Sequence, residues 1–272
     1  MPQKGDHVNV EETSPSKPAA AVPNRKSGGT GDRPDRSDTD SREALDALLG
    51  DQLEYYQARA GEYDQWFLRE GRYDRGEELN QLWFEEVALV QAALARAHPG
   101  GRVLELACGT GLWTEQLLGR AVSLTAVDGS AKMLEEHRRR LDSSSIERIE
   151  ADLFAWDPRT TYDLVFFGFW LSHVPPARLP DFLSLVRRAL APGGRFFFVD
   201  SRYHDASTAR DHRLSDRETG IQERKLNDGR TYRIVKMFWS PEELTLQLRA
   251  AGLTARIEET PNFFVHATGG MA

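Results

Sequence analysis

The stretch VLELACGTGLW, Val103 to Trp113, decides the reading of this chain. A short apolar run passes through Gly109-Thr110-Gly111 into a new amphipathic pattern, which is how a buried parallel strand turning tightly into a helix is written. Lacking Cβ, Gly109 and Gly111 let the backbone take positive φ and come close to a ligand at the helix N-terminus. A nicotinamide fingerprint requires a third glycine where this chain has Thr114. Glu105, an acid inside the apolar strand, would repel phosphate and suits a cationic group such as an amino acid's ammonium. The loop therefore points away from NAD.

Working outward, strand and helix patterns alternate: RVLELA, LWTEQLLGR, SLTAVD, SAKMLEEHRRRL, IERIEAD, YDLVFFGF, ARLPDFLSLVRRAL and GRFFFVD. Such alternation means βαβ units and a parallel sheet covered on both faces, an α/β doubly wound fold. After Asp200 the rhythm breaks. A charged insertion of about 201–239 predicts a hairpin turning at Asn227-Asp228-Gly229. SPEE then predicts a helix start, with Ser240 as N-cap, Pro241 at the first helical position and Glu243 closing a capping box. LTARIEET and NFFVHATG are separated only by the Pro261 turn, too short for a parallel crossover, so these last strands are expected to be antiparallel neighbours.

Upstream, residues 1–40 are Pro, Ser, Gly and mixed charge with hardly a large apolar side chain, the composition of a disordered tail. Order is expected from about Ser41, with helical patterns through 41–98 and the core domain over 99–272. The 272 residues carry a net charge of -7, which gives no electrostatic footprint for nucleic acid. No stretch approaches the roughly 20 apolar residues of a membrane span, and no secretory or transit signal is read, so the expected location is cytoplasmic. The only cysteine, Cys108, excludes an intrachain disulfide and a cysteine-based zinc site, and reads as a small buried turn residue. No metal site is expected.

Two more acids fall at strand ends. Asp128 closes SLTAVD at about the separation from the glycine loop where such folds set a carboxylate on ribose hydroxyls. Asp152 closes IERIEAD one strand further, where a carboxylate can accept from an adenine amino group. Singly, each acid reads as a cap or a solvated turn. Three in register with a glycine loop fit a ligand at the carboxyl ends of parallel strands.

With LELACGTG, AVDGSAKML, EADLFAW, YDLVFFGFWLSHVP and LAPGGRFFFVD, the chain from Tyr55 to Phe264 resembles the class I S-adenosylmethionine-dependent methyltransferases, particularly their small-molecule branch. The resemblance implies a Rossmann-like seven-stranded, mostly parallel sheet whose last strand is antiparallel, and S-adenosylmethionine as cofactor. By position, it implies that Glu105, Gly109 and Gly111 hold the methionine end and that Asp128 takes the ribose. Met133 and Gly129 would flank an adenine recognised by Asp152 and the Leu153 backbone, with Phe169 also on the cofactor. AGEYD, Ala60 to Asp64, looks like the lid of quinone-methyltransferase relatives, so Tyr56 and Tyr63 would close over the cofactor carboxylate. Where amino-methylating enzymes of DNA and protein glutamine carry Asn-Pro-Pro-Tyr, this chain has GFWLSHVPP, which disfavours those substrates.

His173, just after the fourth strand, is the expected general base should the nucleophile carry a proton, since an imidazole with an ordinary pKa near 6.5 suits that task. The competing reading is a histidine that only packs or hydrogen-bonds below the cofactor. His204 is expected to be solvated rather than to face substrate. Trp66, Phe67, Trp83, Phe84, Phe169, Trp170, Phe238 and Trp239 concentrate in the lid, the loop after the fourth strand and the insertion. Helical spacing makes Trp83 and Phe84 core, and the others would line an apolar pocket for a small, partly hydrophobic acceptor. The alternatives are a protein or RNA methyltransferase and a non-catalytic cofactor-binding module. Sequence leaves the oligomeric state open.

Overall fold

The computed structural model describes residues 36–98, 100–214 and 219–272, so most of the expected tail lies outside the described residues. The chain opens with helices α1 (Arg36–Arg59), α2 (Asp64–Phe67) and α3 (Glu77–Ala97). Helix α1 thus begins five residues before Ser41. Strand β1 (Gly101–Leu106), α4 (Thr114–Leu118), β2 (Ala121–Asp128), α5 (Ala131–Arg140), β3 (Ile146–Glu150) and β4 (Tyr162–Gly168) follow. Then come α6 (Leu179–Ala189), β5 (Leu190–Ser201), the pair β6 (Ile221–Lys225) and β7 (Thr231–Val235), α7 (Pro241–Ala250), β8 (Leu253–Glu259) and β9 (Phe264–Met271).

Among the described residues, seven strands form one sheet in the order β3-β2-β1-β4-β5-β9-β8. β9 runs antiparallel to both β5 and β8, and the remaining pairings are parallel. The fold is the α/β, doubly wound, Rossmann-like arrangement expected from the strand pattern and the resemblance. Strand order reverses between β1 and β4, so their carboxyl ends diverge and open a crevice there.

Alternation along each strand feeds two cores. Val103, Leu124, Leu164, Phe166 and Phe197 pack beneath Trp83, Val87, Val90 and Leu94 of α3. Their neighbours Leu104, Val127, Val165, Phe167, Phe196 and Phe198 meet α6 and α7 through Phe182, Val186, Leu244 and Leu248. Fully burying one such side chain is worth about 1.5–3 kcal/mol, which fixes the register of β4 and β5. Trp83 is fully buried, but Phe84 is 43% exposed, correcting the expectation that both are core. Successive helix residues point about 100° apart, so one apolar stripe takes only one of the pair.

The expected hairpin is β6–β7, and the expected capping box is formed at α7: Ser240 Oγ accepts from Glu243 N at 3.2 Å and Glu243 Oε2 from Ser240 N at 2.8 Å. The hairpin is no free appendage. Tyr55 of α1 packs with Leu226 and Ile234 in a small third core, and Gln52 bonds both the Val235 N–H (3.0 Å) and the His173 carbonyl (3.2 Å). Helix α1 and the insertion therefore pack as one cover, α1 against the main cavity and the hairpin against a recess beside it. Its other edge is pinned by the Trp66 indole donating to Ser207 O at 2.9 Å and by Arg69 Nη2 donating to Ala206 O at 2.6 Å.

Candidate active site

The turn leaving β1 holds three residues at positive φ: Ala107 at 53°, Gly109 at 55° and Gly111 at 88°. A Cβ on Gly111 would sit 3.1 Å from the His137 ring, so tight space there adds to the positive φ in favouring glycine. The Gly109 N–H donates to Asp128 Oδ2 at 2.8 Å, and Asp128 Oδ1 accepts from Ser130 N at 2.9 Å. Ser130 in turn caps α5 by accepting from Met133 N at 3.1 Å. One carboxylate thus clamps the glycine loop to the turn after β2. Burial pushes the Asp128 carboxyl up to about 6, and the two N–H donors hold it back from rising further.

Glu105 is 2% exposed and faces the same loop. Its Oε2 accepts from Thr114 Oγ1 at 2.5 Å, and that hydroxyl lies 3.0 Å from His137 Nε2. His137 Nδ1 accepts from Arg148 Nε at 2.9 Å, since a guanidinium only donates. Nε2 therefore carries the ring proton, Thr114 accepts it, and Thr114 donates to Glu105. Burial raises the Glu105 carboxyl to about 8, opposed by the Thr114 bond and supported by the nearby Asp128 charge. Burial, with Arg148 beside it, lowers His137 to about 4 and keeps it neutral. The position that lacks the dinucleotide glycine is thus the link in a buried chain from α5 to the acid.

Beneath α1 lies a cavity of about 630 Å³. It brings together Tyr56, Tyr63, Gly109, Asp128, Gly129, Met133, Asp152, Leu153, Phe169 and His173 from five segments of chain. Glu105 lines an adjoining recess with Tyr63, Cys108, Gly109, Gly168 and Phe169. Gly111 lines neither and lies behind the loop against His137. Asp152 Oδ1 accepts from Phe154 N at 2.9 Å, which holds that acid at the rim. Phe169 has φ 55°, an uncommon strain for a bulky residue, with its N–H on Val199 O at 2.7 Å and its ring edge-on to Trp66 at 4.6 Å.

His173 is 7% exposed and engaged at both nitrogens. Nδ1 sits 2.7 Å from the Val235 carbonyl, which can only accept, so Nδ1 carries the proton. Nε2 then accepts from the Tyr56 hydroxyl at 2.9 Å. Burial first, then the positive charge of Lys236, holds this imidazole well below its usual range, so it is neutral. His204 instead caps a short turn, its Nδ1 accepting from Ala206 N at 3.1 Å. Sequence reading missed Thr114, His137 and Arg148 as a chain, and Arg59, Arg224 and Lys236 as a cluster, because each set is drawn from distant elements. The density of charge in 201–239 was the one available signal.

The description "Methyltransferase domain" matches residues 103–194. Trans-aconitate 2-methyltransferase of Methylobacterium nodulans is 32% identical over 171 residues, covering 62% of this chain and 63% of that protein. Carboxy-S-adenosyl-L-methionine synthase of Stutzerimonas stutzeri is 31% identical over 135 residues, 44% of this chain and 53% of the relative. The chain thus spans little more than half the length of these curated relatives. A solved complex of DhpI with SAH is 39% identical, with a TM-score of 0.68, covering 83% of this chain and 97% of that one. A DhpI-SAM-HEP complex is 40% identical over 97% of its chain, with a TM-score of 0.67. Near-complete coverage at that identity, joined to the glycine loop, the strand-end acids and the crevice at the sheet's reversal, means that the chain belongs to the S-adenosylmethionine-dependent class I methyltransferases.

Proposed function

We propose that the protein transfers the methyl group of S-adenosylmethionine to a small, partly hydrophobic acceptor. The observation that carries this reading is how the site is enclosed: α1 lines the cavity and interlocks through Gln52 with the β6–β7 hairpin, whose residues wall the adjoining recess, and a macromolecular acceptor would have to displace both. Relatives named for trans-aconitate and for ubiquinone biosynthesis support the size class.

The residues fit the cofactor. Glu105, a buried acid facing the recess, would give up its proton to hold the ammonium, and Asp128 would take the ribose hydroxyls through lone pairs left by its two backbone bonds. Met133 and Gly129 would flank the adenine, with Asp152 and the Leu153 backbone at its edge and Phe169 toward the sulfur end. Tyr56 and Tyr63 would cover its carboxylate. The bound cofactor supplies an activated sulfonium methyl, so the protein's work is alignment and exclusion of water. The Tyr56 hydroxyl is oriented by His173 Nε2, and this geometry favours His173 as a positioning residue over the base expected from its sequence position.

Calorimetric titration with S-adenosylmethionine, SAH and NAD tests the cofactor, and transfer of labelled methyl to a fraction of small metabolites tests the acceptor. Binding of the first two without NAD, and label in small molecules, is the expected result. NAD binding with silent S-adenosylmethionine, or label only on protein or RNA, overturns it.

A further inference from the structure

Beside the cofactor cavity, and sharing Tyr56, Tyr63, Phe169 and His173 with it, lies a small recess of about 50 Å³. A water needs roughly 10–15 Å³ of such space, so the recess seats a group of about four heavy atoms. Arg59 of α1, Arg224 of β6 and Lys236 just beyond β7 all line it, each no more than 9% exposed. Among the described residues no Asp or Glu lines it.

Among the described residues the charge around these cations is not balanced. Asp200 is the one acid ion-paired with them among the described residues, its Oδ1 3.6 Å from Lys236 Nζ. Its two oxygens already accept from Ser201 N (2.7 Å) and Ser172 N (2.8 Å). Lys236 also donates to Ser172 Oγ at 2.7 Å, and Arg224 Nη1 to Thr208 Oγ1 at 2.7 Å, a neutral partner. Arg59 Nη2 reaches the Tyr73 hydroxyl at 3.2 Å, while its Nε has no hydrogen-bond partner. The Tyr55 hydroxyl, fully buried at the same recess, also has none. The tyrosines do not supply the missing negative charge, because burial raises Tyr55, Tyr56 and Tyr63 and keeps them neutral. His173 and His212 are neutral too, and burial with Arg224 and Arg59 nearby lowers Lys236 to about 8 against the pull of Asp200. A buried, unneutralised charge is strongly destabilising, and guanidinium forks match planar or tetrahedral oxyanions.

We propose that the methyl acceptor carries an oxyanion, a carboxylate, phosphate or phosphonate, and that Arg59, Arg224 and Lys236 seat it in this recess while its less polar part lies against Trp66, Phe169 and Phe238. The proposal rests on the small-acceptor reading above and names its chemical class. Three cations from the lid helix and from both sides of the hairpin meet only when the cover is assembled, so binding of the anion also favours the closed cover.

The test uses the full chain saturated with SAH, titrated calorimetrically with inorganic phosphate, methylphosphonate, acetate and the neutral acetamide. The oxyanions bind and acetamide does not, and the ranking of acetate against the two tetrahedral probes separates a carboxylate from a phosphorus acceptor. Arg224→Gln and Lys236→Met each weaken the preferred oxyanion by about tenfold or more, the loss of one charge-assisted hydrogen bond, with SAH affinity retained. Arg59→Lys keeps more affinity than Arg59→Gln. The proposal is overturned if acetamide matches acetate in the unaltered protein, if no oxyanion binds the SAH complex, or if the folded variants bind oxyanion as before. Failure of SAH itself to bind would instead remove the reading on which this one rests.

Discussion

At the scale of single residues, the site is set by what neighbours leave to each side chain. Asp128 accepts two backbone N–H groups, and burial pushes its carboxyl up to about 6. If Asp128 takes the ribose, its ionised form serves a hydroxyl best, so SAH affinity should fall as pH drops through about 6, a limb separate from the one near 8 that Glu105 would set. Asp128→Asn should cost about 1.5–3 kcal/mol of binding at pH 8 and flatten that limb, as calorimetry across pH 5–8 would show. An affinity independent of pH over that range would remove Asp128 from the ribose. Tyr56 and His173 share one hydrogen bond at 2.9 Å. If His173 positions Tyr56, then Tyr56→Phe, His173→Gln and the double variant should lose similar turnover, with strong non-additivity and no lost ascending pH limb. A base would instead give His173→Gln a loss of about 10²–10⁴ and a changed pH profile while Tyr56→Phe stayed active.

At the scale of elements, the antiparallel end of the sheet depends on one buried acid. Glu86 of α3, 3% exposed, accepts from Asn262 N (2.9 Å) and Nδ2 (2.6 Å), Phe263 N (2.8 Å) and the Thr260 hydroxyl, so it ties the helix to the turn between β8 and β9. Glu86→Ala leaves the Asn262 and Phe263 N–H groups without that acceptor, while the Thr260 hydroxyl can still donate to Phe264 O, and should destabilise the fold by on the order of 3 kcal/mol. Thermal or urea unfolding measures it, and a loss below about 1 kcal/mol would mean that water replaces the carboxylate. The α7 capping box is the contrasting case, local in sequence and exposed, where Ser240→Ala is expected to cost only about 1 kcal/mol.

At the scale of the whole molecule, the cover joins parts far apart in the chain. Gln52 spans from α1 to β7 and to the segment after β4, and Tyr55 packs on the hairpin. Asp64 of α2 accepts from Thr110 Oγ1 at 2.5 Å and pairs with Arg140 of α5, so the N-terminal helices are also tied to the glycine loop. Hydrogen exchange should therefore slow together in α1 and in the β6–β7 hairpin when SAH binds, although their mutual contacts exclude the cofactor. Protection of α1 alone would show that the hairpin moves independently.

What the sequence determined by itself was written in short-range patterns: the alternating strands and helices, the glycine loop, the acids at three strand ends, the Asn227-Asp228-Gly229 hairpin and the box at Ser240. Each depends on a period, a turn chemistry or a cap only a few residues long, and the residues from Glu105 to Leu153 that line the cavity follow from strands ending at one edge of the sheet. Only the tertiary structure decided that Phe84 faces outward and that Gly111 serves packing against His137. It alone showed Thr114 linking Glu105 to α5 and Arg59, Arg224 and Lys236 meeting in one recess. Those facts depend on which surfaces of distant elements are pressed together. A hydrogen bond between residues 117 apart, such as that of Tyr56 with His173, leaves no periodic trace in the chain that makes it.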